Sequence, residues 1–233
     1  MARARFAIGA AMALLAAQLF AGAVVYWAAG FDVALALGKR LFGLTYPILD
    51  GAAAMPLFDY DRVMFHAHAR AAWAHIIAAP LALVIGPLQL WERLRTARPR
   101  LHRALGYSYL ALQAIGLPCG IYLGRFDYGG EAASYGFVAM GALTLACSAL
   151  ALRAILGGDR ASHRQWMVRG YSVMWSSSVG FRLFLFLVLP RVAQEPLPAG
   201  FRAPYVAFVF LSSALGLIGA DVYLHATREK VVA

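Results

Sequence analysis

The residues that could do chemistry here are histidines and arginines set in or beside apolar runs. His68 and His75 stand seven apart in HAHARAAWAHIIAAP. His102-Arg103 closes the stretch RTARPRLHR, and His163-Arg164 follows DRAS, so a His-Arg pair twice meets the start of a long apolar run. A neutral imidazole ligates a metal or accepts a proton, and arginine holds anions. Two helix N-termini at one interface would add backbone N–H groups and partial positive charge, which also favours anions. His225 lies near the end of the last apolar run, with Asp221 one helical turn before it, placed to orient its ring. Arg182 falls inside an apolar run, where burying the charge costs at least about 2.5–3.5 kcal/mol, so it is expected to face a partner or a cavity. Arg70 can reach outward along its stem instead.

The chain that must position these groups is 62% hydrophobic and 14% charged over 233 residues. A soluble domain carries about 25% charged residues, so lipid is the expected solvent. Six runs approach the roughly 20 residues of a spanning helix: 6–29, 65–90, 105–124, 134–156, 168–189 and 203–225. No segment alternates as a membrane strand does. The fold class expected is all-α, a polytopic six-helix bundle forming one integral domain over 1–233, with residues 30–64 as an extracytoplasmic loop. The first run exceeds the roughly 7–15 apolar residues of a signal peptide and reads as an uncleaved helix.

The formal charge of +10 does not imply nucleic acid. With the N-terminus inside, most arginines, among them Arg93, Arg95, Arg98, Arg103, Arg160, Arg164 and Arg169, gather on one side. That is the positive-inside pattern, and it places both termini in the cytoplasm. The same arginines suit anionic phospholipid head groups. The two cysteines, Cys119 and Cys147, are expected at different depths and hence as free thiols.

Punctuation residues refine the frame. Gly116, Gly120 and Gly124 mark one face of the third helix and read as a packing seam, with a homo-oligomer contact as the alternative. Pro118 suggests a kink there. Pro80 is expected to bend the second helix, and Pro87 to loosen its last turn beside Trp91. Ser162-x-x-Gln165 matches a capping box and predicts that helix five begins at His163. Pro99 suits an opening helical turn. In the 30–64 segment DVALALGKRLFGL reads as an amphipathic surface helix, and the part with Pro47, Gly51 and Pro56 as an irregular loop.

Taken together, His75, Gly86-Pro87-Leu88-Gln89-Leu90-Trp91, Arg98-Pro99, His102-Arg103, Gly106, His163-Arg164, Trp166-Met167, Arg169 and Arg182 resemble domain-of-unknown-function family 2306 of bacterial membrane proteins. The resemblance spans roughly 65–190. It implies a polytopic membrane protein and no particular reaction. A looser likeness is to cytochrome b561-type proteins, which hold haem between histidines of neighbouring helices. On that likeness His102 and His163 would ligate the iron of a haem b, and His68 or His75 would serve a second one.

Three function classes follow. One is a redox protein binding haem or a quinone through His75, His102, His163 and Arg182. The second is a transporter of a small solute or proton with Arg182, the serines and His75 along its route. The third is a non-catalytic lipid-binding or assembly subunit. No HExxH motif supports zinc hydrolysis.

Overall fold

The long apolar runs become long helices, because only intrasegment hydrogen bonds satisfy the backbone in lipid. The computed structural model describes Leu14, Ala17, residues 19–45 and 55–181, Phe184 and residues 202–228. Its elements are α1 (Leu19–Ala29), α2 (Phe31–Thr45), α3 (Met55–Ala67), α4 (Ala69–Leu90), α5 (Glu92–Ala97), α6 (Pro99–Gly124), α7 (Gly130–Leu156), α8 (Arg160–Trp175) and α9 (Arg202–Arg228). No strand occurs among the described residues. Four helices, α4, α6, α7 and α9, are long and apolar enough to cross a membrane. The other two expected crossings are described only in part: α1 over Leu19–Ala29, and α8 over 16 residues followed by a π-helical turn at Ser176–Gly180.

Several boundaries differ from expectation. The stretch expected as an irregular loop is helical from Met55, as α3. The second predicted helix is broken at His68, whose φ of −124° and ψ of 35° interrupt the helical path. The predicted membrane helices start four to eight residues early at α6, α7 and α8, because polar interfacial turns continue a helix that apolarity alone does not mark. Gly30, at φ +82°, sits in the left-handed region and turns the chain between α1 and α2. Helix α8 starts at Arg160 and not at His163. Its cap is Asp159, whose Oδ1 accepts from Ser162 N–H at 2.9 Å. A carboxylate at the positive helix end outcompetes the serine hydroxyl expected there. Asp159 is accordingly held below the usual carboxylate range by its hydrogen bonds to Ser162.

Helix α4 packs against α6 along the predicted glycine face. A Cβ at Gly116 would lie 3.0 Å from Ala78 Cβ, and one at Gly120 would lie 2.7 Å from the His75 ring. Gly124 meets Phe137 of α7 in the same way. The seam therefore lies within the bundle. Both cysteines are free, Cys147 buried and Cys119 half-buried.

The prolines of α4 act through the carbonyls they release. A proline has no N–H for the carbonyl four residues earlier. Pro80 thus frees Ile76 O, and the Trp27 indole N–H of α1 donates to it at 3.3 Å. Pro87 frees Leu83 O, and the Tyr171 hydroxyl of α8 donates to it at 3.1 Å. The Tyr171 ring lies over Gly86, so close that a Cβ there would fall 2.1 Å from it. Gly86-Pro87 is therefore a receptor for one tyrosine, the glycine clearing space for the ring and the proline supplying its acceptor. At the far side of α8, a Cβ at Gly216 of α9 would meet Ser172 O at 2.8 Å, a backbone-to-backbone approach.

Candidate functional site

A cavity of about 340 Å³ opens between α3, α4, α6, α7 and the end of α8. Its wall is mostly apolar and small, with Ala72, Ala79, Gly116 and Gly120 beside Phe65, Phe137 and Phe181. The polar groups in depth are His75, Gln113, Ser177 and Ser178, and those toward the mouth are Tyr60, Asp61 and Asp127. The π turn helps build the wall. Its wider loop, closed by Phe181 N–H donating to Ser176 O, carries Ser177, Ser178 and then Phe181 to the cavity. Ser177 Oγ also donates to Val173 O at 2.8 Å.

His75 is fixed by α6. Its Nδ1 is 2.8 Å from Gly116 O, and a carbonyl only accepts, so Nδ1 carries the hydrogen. In the neutral ring the lone pair is then on Nε2. Gly120 permits this placement, because any side chain there would occupy the space of the ring. Deeper in the bundle Gln113, 2% exposed, accepts from Ser148 Oγ and directs its own N–H to Met174 Sδ at 3.7 Å.

The mouth is held by aromatic and acidic groups. Tyr205 O–H donates to Asp127 Oδ2 at 2.7 Å, and Gly129 N–H to Oδ1 at 2.8 Å. Arg202 Nε donates to Gly129 O at 3.2 Å. Gly130, at φ +69°, leaves room for the Arg202 guanidinium, which a Cβ would strike. His68 contributes to this end from the α3–α4 break. Its Nδ1 is 3.0 Å from Tyr122 OH and its ring stacks on Phe126 at 4.1 Å. Arg70 is exposed. Arg182 lies outside the described residues.

The remaining predicted residues gather at the other end of the bundle. His163 Nδ1 is 2.9 Å from Ala151 O, which ties the start of α8 to α7. His163 and Arg95 lie within electrostatic range of His102, whose own Nδ1 is buried without a hydrogen-bond partner. Neither His102 nor His163 borders the cavity at His75. Arg103 is exposed, and Arg164 stands 5.9 Å over the Tyr223 ring. Asp221 of α9 meets Arg169 of α8. Its Oδ1 accepts from Arg169, at 2.9 Å from Nε and 2.8 Å from the terminal nitrogen, a guanidinium fork on one carboxylate oxygen. Arg169 also stacks on Trp166 at 5.0 Å. Gln89 Nε2 is buried and unpartnered, with its Oε1 beside Gly106. Among the described residues no three His, Cys, Asp or Glu side chains converge as a metal site.

The profile of the family described as predicted membrane protein (DUF2306) matches residues 72–216, well over half of the chain. The chain belongs to this family. The DUF2306 match and the four long apolar helices place it in a membrane. No curated protein and no solved structure matches the chain. The span matched by DUF2306 runs from α4 to the middle of α9. It contains His75, Gln113 and the π turn, and also the Gly86-Pro87 receptor with its Tyr171. Tyr60 and Asp61 of the cavity mouth lie before it.

Sequence reasoning missed Gln113, Tyr109, Ser148 and Asp127. The first two carried a signal, since His102, Tyr109 and Gln113 recur at seven and four residues on one face of an apolar helix. Asp127 carried none beyond being one of 11 acidic residues. Burial raises its carboxyl above the ordinary 3.8, outweighing the hydrogen bonds from Tyr205 and Gly129. An acid raised on folding stabilises the protein below its unfolded pKa and loses that contribution as pH climbs through the folded value. Melting temperature in detergent should therefore fall as pH rises from about 4 through the folded pKa. Asp127→Asn, which keeps an acceptor for Tyr205 but cannot ionise, should flatten that slope. An unchanged slope would assign it to another group.

Proposed function

We propose that the cavity at His75 binds a small amphipathic molecule with a flat hydrogen-bonding head, and that a quinone is the class it suits best in a membrane redox role. The observation carrying this reading is one cavity whose mostly apolar wall holds a fixed imidazole together with the serines of a π turn. A volume of about 340 Å³ is within the range of small-ligand pockets, roughly 300–1,000 Å³. Phenylalanine and glycine surfaces suit a ring, and His75, Gln113, Ser177 and Ser178 suit its oxygens. A haem fits this space poorly, since His75 is the single histidine among its described wall residues. The exposed guanidinium groups of Arg93, Arg95, Arg98, Arg100 and Arg103 make the opposite end suited to anionic phospholipid head groups, consistent with a cytoplasmic side there.

The test is a titration of the detergent-purified chain with a short-chain benzoquinone, read by quenching of tryptophan fluorescence. Wild type should saturate, and His75→Leu should bind about tenfold more weakly, the loss of about 1.4 kcal/mol expected for one hydrogen bond. Linear, unsaturable quenching by wild type would end the quinone reading.

A further inference from the structure

Three buried polar atoms are short of hydrogen-bond partners among the described residues: Gln89 Nε2 and His102 Nδ1 have none, and the Tyr109 hydroxyl has only the Gln113 amide within reach. They are not scattered. His102, Gly106, Tyr109 and Gln113 follow one another at four, three and four residues, so they line one face of α6. Gln89 joins them from α4, its Oε1 set 3.1 Å from where a Cβ of Gly106 would be. Gly106 thus lies between His102 and Tyr109, with the Gln89 amide facing it. Beyond its own helix backbone and chain neighbours, a Cβ at Gly106 would find only that amide within 4 Å. The space beside it is therefore open to a small polar guest, with the Gln89 amide against it and His102 and Tyr109 one turn to either side on the same helix face. Tyr109 is 1% exposed, so bulk water does not reach its hydroxyl. Orphaned buried polar atoms are rare in native proteins, and a bound water with two to four polar partners is the ordinary way to satisfy them.

The stripe does not stop at Tyr109. One turn further, Gln113 is both buried and part of the cavity wall. Its N–H is spent on a thioether, a weak acceptor that a better one can replace. At the opposite end His102 is half-buried near the exposed Arg95 and Arg98, where the bundle meets solvent. His102, Tyr109 and Gln113 therefore run from that interface to the cavity wall on one face of α6, with Gln89 of α4 beside them.

We infer that α6 carries a proton path through the bundle, in which water held at Gly106 by Gln89, His102 and Tyr109 connects the interface at His102 to the cavity at Gln113. A proton taken up by His102 at one ring nitrogen is released from the other. The Tyr109 hydroxyl accepts a hydrogen bond while donating its own proton onward, and Gln113 orients the water that enters the cavity. One proton enters for each that leaves, so no charge accumulates on the stripe. The path stands whether or not the cavity holds a quinone head.

The experiment uses the full chain in phosphatidylcholine–phosphatidylglycerol vesicles loaded with a pH-sensitive dye, with a potassium gradient and valinomycin drawing protons inward. Wild-type vesicles should acidify about tenfold faster than protein-free ones. Tyr109→Phe and His102→Leu should each remove most of that difference, and Gly106→Val should do so by filling the water space. Tyr109→Phe also separates function from folding: it keeps the buried ring and removes only the hydroxyl, so its melting temperature should stay close to that of wild type. Acidification no faster than in protein-free vesicles would overturn the path. So would Tyr109→Phe or His102→Leu at the wild-type rate, or a Tyr109→Phe variant that loses flux only because it melts earlier.

Discussion

Gly86→Val should destabilise the bundle by about 4 kcal/mol, combining roughly 1–3 kcal/mol of overpacking with roughly 1–3 kcal/mol for a buried carbonyl left unpaired. The new Cβ would fall 2.1 Å from the Tyr171 ring, which cannot stay. When the ring leaves, Leu83 O loses the hydroxyl that replaced the missing Pro87 N–H. At about 2–4 °C per kcal/mol for a chain of this size, the melting temperature in detergent should drop by roughly 10 °C. A sharper measurement uses Pro87→Ala, which returns an N–H to the helix and gives Leu83 O its ordinary partner. Tyr171→Phe should then cost less in the Pro87→Ala background than in wild type, and the cycle's coupling energy measures the receptor directly. Additive effects would mean that the proline and the tyrosine act separately.

Gly120→Val should abolish ligand retention at the cavity while leaving the helices assembled. The added side chain occupies the place of the His75 ring, 2.7 Å from its Cε1. The ring must rotate away from Gly116 O and into the space it now borders. Binding of the short-chain benzoquinone should weaken about 100-fold, or about 2.7 kcal/mol, since both the fixed imidazole and part of the free volume are lost. Gly120→Ala adds one methyl group and should give an intermediate loss. Equal affinity in all three proteins would show that the probe binds elsewhere. Together with His75→Leu the series distinguishes a lost hydrogen bond from a filled cavity, because only the glycine variants change the volume without removing the histidine.

What was legible beforehand sorts by the distance over which each signal acts. The glycine seam of α6 was readable because three glycines at a spacing of four must share one face. Pro99 at the first turn of α6 and the two unpaired cysteines were readable for similarly local reasons. The cap of α8 was read three residues too late: Ser162 fits a capping box, but Asp159 precedes it and offers the stronger acceptor. Of the imidazoles expected in one layer, His102 of α6 and His163 of α8 lie within electrostatic range of each other. Asp221 was placed with His225 because they share a helix face; its contact with Arg169 of the neighbouring helix left no mark in the sequence.

By itself the sequence determined that the chain lives in lipid as α-helices, where its helices pack through small residues, and to which family it belongs. Each of these is a sum over a run of residues or a fixed spacing along one helix, so no neighbour is needed to read it. Only the tertiary structure decided that Pro87 and Gly86 receive Tyr171, that His75 is locked by Gly116 O beside a cavity, and that Gln89 of α4 sets its amide against Gly106 of α6. Those facts depend on how each helix is rotated and shifted against its neighbours. A residue of offset turns a side chain by about 100°, and the packing that fixes the offset is shared among several helices at once.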